Sequence, residues 1–473
     1  MARIALVNPQ LATSKWRMPV MRDWNAAAIR YGLASLSASL KAKGHEVSLI
    51  DLRRLSGWAE YEEVLRRTSP DCVGVTAHTC EHDFAVRSFE LAKKVSRDIL
   101  TIAGGIQPTM FPQAFLDTGN VDYVLQGEGE IGLPQWVESP RSFPAIFRGD
   151  VPDLDQLPFP DRSLWDDYDV RIQYPCFGRF LPVPIVDIVA HRGCPWRCRF
   201  CCGPGEQNLF AKVVAGRVIP AFRSRSVNSV MEELSELYGR YQFKSIVFHD
   251  DQFIIQPQWA EEFAAAMHER GFAKRNIKFW CAIRADMVIR FEYIVRSLKG
   301  AGLEVLSIGF ESFSDRMLEW MNKGTTRAQN LEAARIAKSL GIKLFANAIL
   351  GMPYADGKWH IEDDVETLAA LDEIVRPEIF SVTFFNPVPG SPIFDWCKTN
   401  GLIASDSFAA FGTRGTERAS VAGVDYGALN KLMAKRRRLN FLIESLMTPL
   451  AKLGLIAQAR RIRFAYQRLM SRE

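Results

Sequence analysis

The sequence predicts an α/β protein made of two parallel-sheet units in tandem, followed by a helical region. Short apolar runs alternate with segments of helical period through the first third, at Ile4–Val7, Val47–Ile50, Cys72–Val75, Leu100–Ala103 and Tyr123–Leu125. Six further strand-like runs, Ile185–Val189, Ser245–Phe248, Ile277–Ala282, Val305–Gly309, Leu344–Leu350 and Ile379–Phe385, recur with amphipathic helical stretches between them. From about residue 425 the chain reads as helix. Strands and helices alternating at this spacing make parallel sheets with helices on their faces. The expected division is a Rossmann-like sheet over 1–135, a connection over 136–185, a partial (β/α)6 barrel over 186–395, and a helical, basic region over 396–473.

The first unit owes its sheet to strands bracketed by helical segments such as Leu33-Ala-Ser-Leu-Ser-Ala-Ser-Leu40 and Phe89-Glu-Leu-Ala-Lys-Lys-Val95. Ligands of such sheets sit at the carboxyl ends of the strands. That edge carries Asn8-Pro9, Thr76-Ala-His78-Thr79, Gly104-Gly105 and Gly127-Glu-Gly-Glu130, where glycine lets backbone approach a ligand closely. No Walker A lysine loop occurs. The connection, including Val151-Pro-Asp-Leu-Asp-Gln-Leu-Pro-Phe-Pro-Asp161, shows neither period and reads as extended chain holding a structural Cys176.

Directly after the apolar run Pro184–Ala190 comes His191-Arg-Gly-Cys194-Pro-Trp-Arg-Cys198-Arg-Phe-Cys201-Cys202. Thiolates spaced C-x3-C-x2-C fit three corners of a [4Fe–4S] cluster and leave the fourth iron open for a small molecule. A zinc site would want a second pair of Cys or His further along, and none appears. With Phe200 before the third cysteine, this segment resembles the cluster loop of the radical S-adenosylmethionine (SAM) superfamily. The resemblance makes Cys194, Cys198 and Cys201 the cluster ligands, with SAM on the open iron and cleaved by one electron to a 5′-deoxyadenosyl radical. Cys202 falls one residue past the motif and reads as a small residue packed beside it.

With the cluster motif downstream, the ordered motifs of residues 1–135 resemble the cobalamin-binding domain found in front of many radical SAM enzymes. The resemblance assigns Asn8, His78, Thr79, Gly104, Gly105 and Gly127 to cobalamin. The D-x-H-x-x-G motif that ligates cobalt from below is missing, and His45 precedes a strand instead of following one. Cobalamin is therefore expected without that imidazole. His78 lies either beneath the cobalt or hydrogen-bonded within its loop.

In βα barrels the chemistry lies at the C-terminal ends of the strands. The second barrel strand ends in His249-Asp250-Asp251, where the resemblance offers a carboxylate to SAM's amino group, a helix N-cap being the other reading. On the third, alternation sets Arg284 with Ala282 and Trp280, and Cys281 on the packed face. Arg284 suits SAM's carboxylate by bidentate pairing. The fourth puts Ser307, Gly309 and Glu311 on one face, and the resemblance makes Ser307 and Glu311 SAM contacts. The fifth, Asn347-Ala-Ile349-Leu-Gly351, resembles the G-x-I-x-G adenine motif with Asn347 replacing the first glycine, which sets Ile349 on adenine. The sixth ends in the rigid turn Asn386-Pro-Val-Pro-Gly390-Ser-Pro392.

Composition agrees with a soluble globular chain, at 48% hydrophobic and 24% charged residues. The N-terminal apolar run is broken by Asn8 and Pro9, too early for a signal peptide, and no run approaches the roughly 18 apolar residues of a membrane span. The expected location is the cytoplasm, where thiols stay reduced. Net charge is +5, but residues 431–473 alone carry +9, leaving the rest at about −4, so nucleic acid is not expected. Lys435-Arg-Arg-Arg438 and Arg460-Arg461-x-Arg463 lie either solvated on packed helices or on an anionic membrane surface.

The resemblance implies a C-methyltransferase. One SAM methylates cobalamin, a second yields the radical that takes a hydrogen from an unactivated carbon, and that carbon captures the methyl group. The alternative is oxidation or ring formation, as in anaerobic porphyrin-ring cyclases. The implied partners are a small-molecule substrate, lipid or porphyrin in class, and an external electron donor of flavodoxin or ferredoxin type.

Overall fold

The apolar runs become strands because the first sheet is covered on both faces and the second on its outer face and in its lower lumen. The computed structural model describes residues 1–9, 29–165, 180–203, 222–403, 408, 411 and 421–434. Cys176 and the basic clusters beyond residue 434 lie outside the described residues.

The first sheet comprises β1 (Arg3–Asn8), β2 (Glu46–Asp51), β3 (Cys72–Thr76), β4 (Leu100–Gly104), β5 (Tyr123–Gln126) and β6 (Ile146–Arg148). All pairings are parallel, in the order β2-β1-β3-β4-β5-β6. In β1, Ala5 and Val7 pack with Tyr61, Leu65, Phe89 and Phe115 on one side. Ile4 and Leu6 pack with Leu33, Leu40, Leu133 and Trp136 on the other. A strand buried on both faces loses apolar–polar alternation, which is why these segments read as continuous apolar runs. β6 comes from the stretch expected to be pure connection; at three residues among prolines it is too short to show a period.

The second sheet comprises β7 (Ile185–Ile188), β10 (Ser245–Phe248), β11 (Lys278–Ala282), β12 (Leu303–Glu311), β13 (Lys343–Leu350) and β14 (Ile379–Phe384), parallel and adjacent in chain order. Between its first two strands, β8 (His191–Gly193) and β9 (Phe222–Ser224) form a small antiparallel ribbon. Outward residues Phe248, Phe279, Cys281, Leu306, Ile308 and Leu344 pack under the helices. Phe263 stands edge-on to Phe248 and to Phe279 at 5.3 and 5.7 Å. Truncating such a ring to alanine costs about 3–5 kcal/mol. Inward residues Ile185, Val247, Trp280 and Val305, with Leu181 and Phe345, plug the lower lumen. The alternation expected for β11 holds: Trp280 is inside and Cys281 is packing.

Beyond the barrel the chain makes a helix Pro392–Thr399, a bridge between Ile403 and Val421, and helix over 426–434. Among the described residues no helix is long and apolar enough to cross a membrane.

Candidate functional site

The loop after β7 carries the three cysteines, and two neighbouring segments stitch it down. Arg199 donates its backbone N–H to Met321 O at 2.9 Å, and Arg199 O accepts from Ile393 N at 2.9 Å. Asn322 Nδ2 donates to Arg197 O at 2.7 Å. Asp250, at the end of β10, accepts from the Ala190 and His191 amides at 2.8 and 2.6 Å. Burial raises its pKa to about 7, and its second oxygen has no partner. Asp250 is thus a bracket for the cluster loop, while Asp251 faces the thiols of Cys194 and Cys201 electrostatically. Asp251 is exposed, and desolvation by the surrounding protein raises its pKa.

Burial pushes the Cys194 thiol up to about 11 and raises that of Cys198. Cys201 is lowered to about 7 by the hydrogen bond from Cys202 and, against burial, by the Gly203 amide. Cys202 therefore supports Cys201 from beside the motif. Among the described residues no three His, Cys, Asp or Glu side chains converge as a single metal ion requires. A cubane differs, because each thiolate holds its own corner iron. Three thiols on one pinned loop and, among the described residues, no fourth beside them except Cys202, hydrogen-bonded to a ligand, fit an open-cornered cluster.

The expected SAM residues gather around this loop. Arg284 is 2% exposed; its guanidinium holds Asp286 Oδ1 at 2.9 Å and Lys323 O at 2.5 Å, lies 4.6 Å from the Trp196 ring centre, and puts Nη1 3.9 Å from Cys198 Sγ. Its Nε and Nη2 are held by Asp286 and the Lys323 carbonyl, and Nη1 is the group next to the cluster sulfur. Glu311 departs from the simple alternation expected of β12. The register shifts between Gly309 and Glu311, and Glu311 takes a positive φ of 62°. Such a backbone costs a non-glycine residue of order 1–3 kcal/mol. The Lys323 ammonium, 3.2 Å from Glu311 Oε1, accompanies it, and a Cβ at Gly309 would meet that oxygen at 2.3 Å. Ser307 accepts from Asn347 Nδ2 at 3.1 Å, so the asparagine that replaces the motif glycine is a lumen partner of the expected serine. Ile349 shares an apolar cluster with Phe200, Met352 and Phe385 at the barrel mouth. Below it Gly351, at φ 77°, donates to Asp364 Oδ2 at 2.9 Å.

Sequence reasoning passed over the pair beneath these groups. Asp187 points into the lumen from β7, 2% exposed, with one oxygen 3.1 Å from His249 Nε2 and the other without a partner. The His249 side chain is 34% exposed, towards the lumen its strand faces. Burial opposes a charged ring, yet the bond and charge of Asp187, with Asp250 behind, raise its pKa. The only sequence signal was an aspartate inside an otherwise apolar strand. Lys323, over the Phe200 ring at 5.7 Å, was also missed, because it lies in a loop without a motif.

The expected cobalamin residues line one edge of the first sheet, at the ends of β1, β3, β4 and β5. Asn8 is fully buried, donates to Asp51 Oδ1 at 3.2 Å, and leaves its own Oδ1 without a partner. Gly105 has φ 93°, and a Cβ there would meet Thr76 Oγ1 at 2.5 Å. Gly104 lies beside it at the end of β4 and Gly127, at φ 83°, donates to Thr109 Oγ1 at 2.9 Å. Thr79 is buried, and His78 is exposed at the edge, with a pKa lowered by its protein surroundings and by Arg30. His78 N donates to Glu81 Oε2, which Arg30 holds in turn. His45 accepts from Ala2 N at 3.3 Å at the opposite, amino end of the sheet. An unsatisfied buried amide oxygen, a glycine cradle and the lack of a motif histidine at this edge fit a corrinoid held without that imidazole.

Comparison with known proteins finds two families in the chain. The B12 binding domain family matches residues 25–137 and the Radical SAM superfamily residues 188–368. An uncharacterized methyltransferase of Pyrococcus horikoshii is 26% identical over 402 residues, covering 81% of each chain. The hopanoid C-3 methylase of Methylococcus capsulatus is 28% identical, covering 76% of this chain and 67% of that one. An anaerobic magnesium-protoporphyrin IX monomethyl ester cyclase of Rubrivivax gelatinosus is 26% identical, covering 79% and 66%. The fold matches the cobalamin-dependent SAM radical enzyme OxsB, solved with aqua-cobalamin and SAM, at TM-score 0.73 over 100% of this chain and 71% of that one, with 18% identity. The radical SAM methyltransferase TsrM from Kitasatospora setae matches at 0.61 and 17% identity, over 86% of this chain and 78% of that one.

Proposed function

We propose that this chain, which belongs to the cobalamin-dependent radical SAM enzymes, methylates an unactivated carbon of a small molecule held in the barrel lumen. One observation carries the reading: a pinned three-cysteine loop and a glycine-cradled sheet edge sit in one chain with curated methyltransferase relatives. When bound, the cluster supplies an electron and an open iron, and cobalamin carries a methyl group; cofactors do the hard chemistry.

The protein's own part is positioning. Cys194, Cys198 and Cys201 hold the cluster. Asp251 would receive the ammonium of SAM, Arg284 Nη1 its carboxylate, Ser307 and Glu311 its polar edge, and Ile349 its adenine. Asn8, His78, Thr79, Gly104, Gly105 and Gly127 shape the corrin edge. The aromatic plug of Trp280 and Phe345 closes the lumen against water from below. Asp187 and His249 offer the substrate a polar anchor: the partnerless oxygen accepts a hydrogen bond, and the histidine orients a polar group next to the reacting carbon. A substrate with a hydroxyl, carboxylate or amide near that carbon, on a lipid or porphyrin skeleton, suits a polar patch above an apolar floor. The reductant is an external donor of flavodoxin or ferredoxin type. The cyclase relative favours a second outcome from the same site, oxidation or ring closure.

Anaerobic reconstitution with iron, sulfide and cobalamin, followed by incubation with lipid, porphyrin and peptide substrates, tests the proposal. Methylation predicts 5′-deoxyadenosine, S-adenosylhomocysteine and a product heavier by one methylene. A product that has lost hydrogens or gained oxygen selects the second outcome, and absence of both nucleosides refutes both.

A further inference from the structure

We infer that Arg192, Arg223, Glu128 and Glu130 form a charged bridge that fixes the separation of the two cofactor loops. The inference rests on the assignment of Gly127 and of Cys194 to those loops, and goes beyond it in naming what holds them in register. Glu128 and Glu130 follow the Gly127 turn; Arg192 precedes Cys194 by two residues on β8, and Arg223 is its cross-strand partner on β9.

The contacts converge from both sides. Arg192 Nη1 lies 2.8 Å from Glu128 Oε2 and its Nη2 lies 2.7 Å from Glu130 Oε1. Arg223 Nη2 reaches the other Glu128 oxygen, and its Nη1 donates to Pro152 O at 3.2 Å. Ser35 Oγ donates to Glu130 Oε1 at 2.9 Å. Arginine's planar fork, unlike a lysine ammonium, fixes direction as well as distance. Side-chain exposures of 22% for Arg192, 18% for Arg223 and Glu128, and 6% for Glu130 take the bridge out of the class of surface pairs that contribute little.

A bridge transmits position only if its ends are rigid, and both are. On the sheet side, Thr109 holds the Gly127 amide, and a Cβ at Gly149 would come within 2.4 Å of Glu128 O, so that backbone is packed from below. On the barrel side, Asp250 grips the Ala190 and His191 amides just before Arg192. One continuous path thus runs from the Gly127 turn through Glu128 and Arg192 to the cluster loop. The residues are positioning residues, and none needs to touch substrate.

Full-length protein, loaded anaerobically with cluster and cobalamin and reduced to leave a spin on each, gives the readout by pulsed dipolar electron paramagnetic resonance. Wild type is expected to show one narrow separation between the two spins. The double variant Glu128→Gln, Glu130→Gln should lose it to a broad distribution at unchanged iron and corrin content. An unchanged narrow separation in that fully loaded variant overturns the inference. Should the double variant fail to load, Arg223→Gln, which removes one arm far from the cysteines in sequence, decides in the same way: broadening supports the bridge, no change refutes it. If wild type forms no S-adenosylhomocysteine while the variant still broadens, the methylation reading falls and the bridge stands.

Discussion

The two sheets contain the same number of parallel strands and offer ligands opposite things. In the first, the order β2-β1-β3-β4-β5-β6 reverses at β1, opening a crevice at the carboxyl edge where Asn8 and the His78–Thr79 loop meet. In the second every strand neighbours the next in sequence, the sheet curls, and side chains rather than loop backbone face the ligand space. The first site is therefore built mostly of turns and glycines, the second of charged and polar side chains projecting from strands. The harmful substitution in one half is an added methyl group, and in the other a removed head group.

The largest effect expected from this contrast is at the cysteines. Alanine at Cys194, Cys198 or Cys201 should abolish iron binding and SAM cleavage while corrin binding persists, read as iron content and the corrin absorbance of one sample. Loss of both together would show that the halves do not load independently. Alanine at Cys202 or Cys281 should leave iron near wild type.

Removing the lumen anchor comes next. His249→Ala and Asp187→Asn should keep both cofactors and lower product formation by about 100-fold, the scale of lost orientation at a reacting centre. Deoxyadenosine formed without substrate should be unaffected. An unchanged product rate would remove the pair from the site.

Gly105→Ala probes the other half. A positive φ and contact with Thr76 Oγ1 cost of order 1–3 kcal/mol, so corrin binding should weaken roughly tenfold to a hundredfold with iron unchanged. Normal corrin affinity would mean that this turn does not approach the ligand.

The smallest effect concerns Asp364, buried beneath the Gly351 turn and bonded to Trp359 Nε1 and Gly351 N. Burial raises its pKa from 3.8 to about 7. The folded state holds the proton more tightly than the unfolded chain, so this group's contribution is full below pH 3.8 and is lost as pH rises through about 7. Asp364→Asn should flatten that fall, by up to ~4 kcal/mol in denaturant titrations across the window. Parallel pH curves for both proteins would contradict it.

The strands and the cluster motif were legible because each depends on local pattern. Doubly covered strands are continuous apolar runs, and three thiolates for one cluster lie within one loop. What could not be read depends on distant partners. Asp250 looks like a ligand for an ammonium until its bonds to Ala190 and His191 appear. Arg284 was rightly turned inward, but its hold on the Lys323 carbonyl needs a loop with no motif of its own. Glu311 seemed a regular inward residue, whereas a bulge and a positive φ aim it. Asp187 was invisible as a functional group because strand position alone does not show that one oxygen lacks a partner.

The central claim is that the two halves serve one methyl transfer, and SAM deuterated in its methyl group tests it most directly. Reconstituted enzyme with a turned-over substrate should form S-adenosylhomocysteine and 5′-deoxyadenosine in equal amounts, with the whole deuterated methyl group in the product by mass spectrometry. Deoxyadenosine alone, with an unlabelled product that has lost hydrogens, would contradict the account.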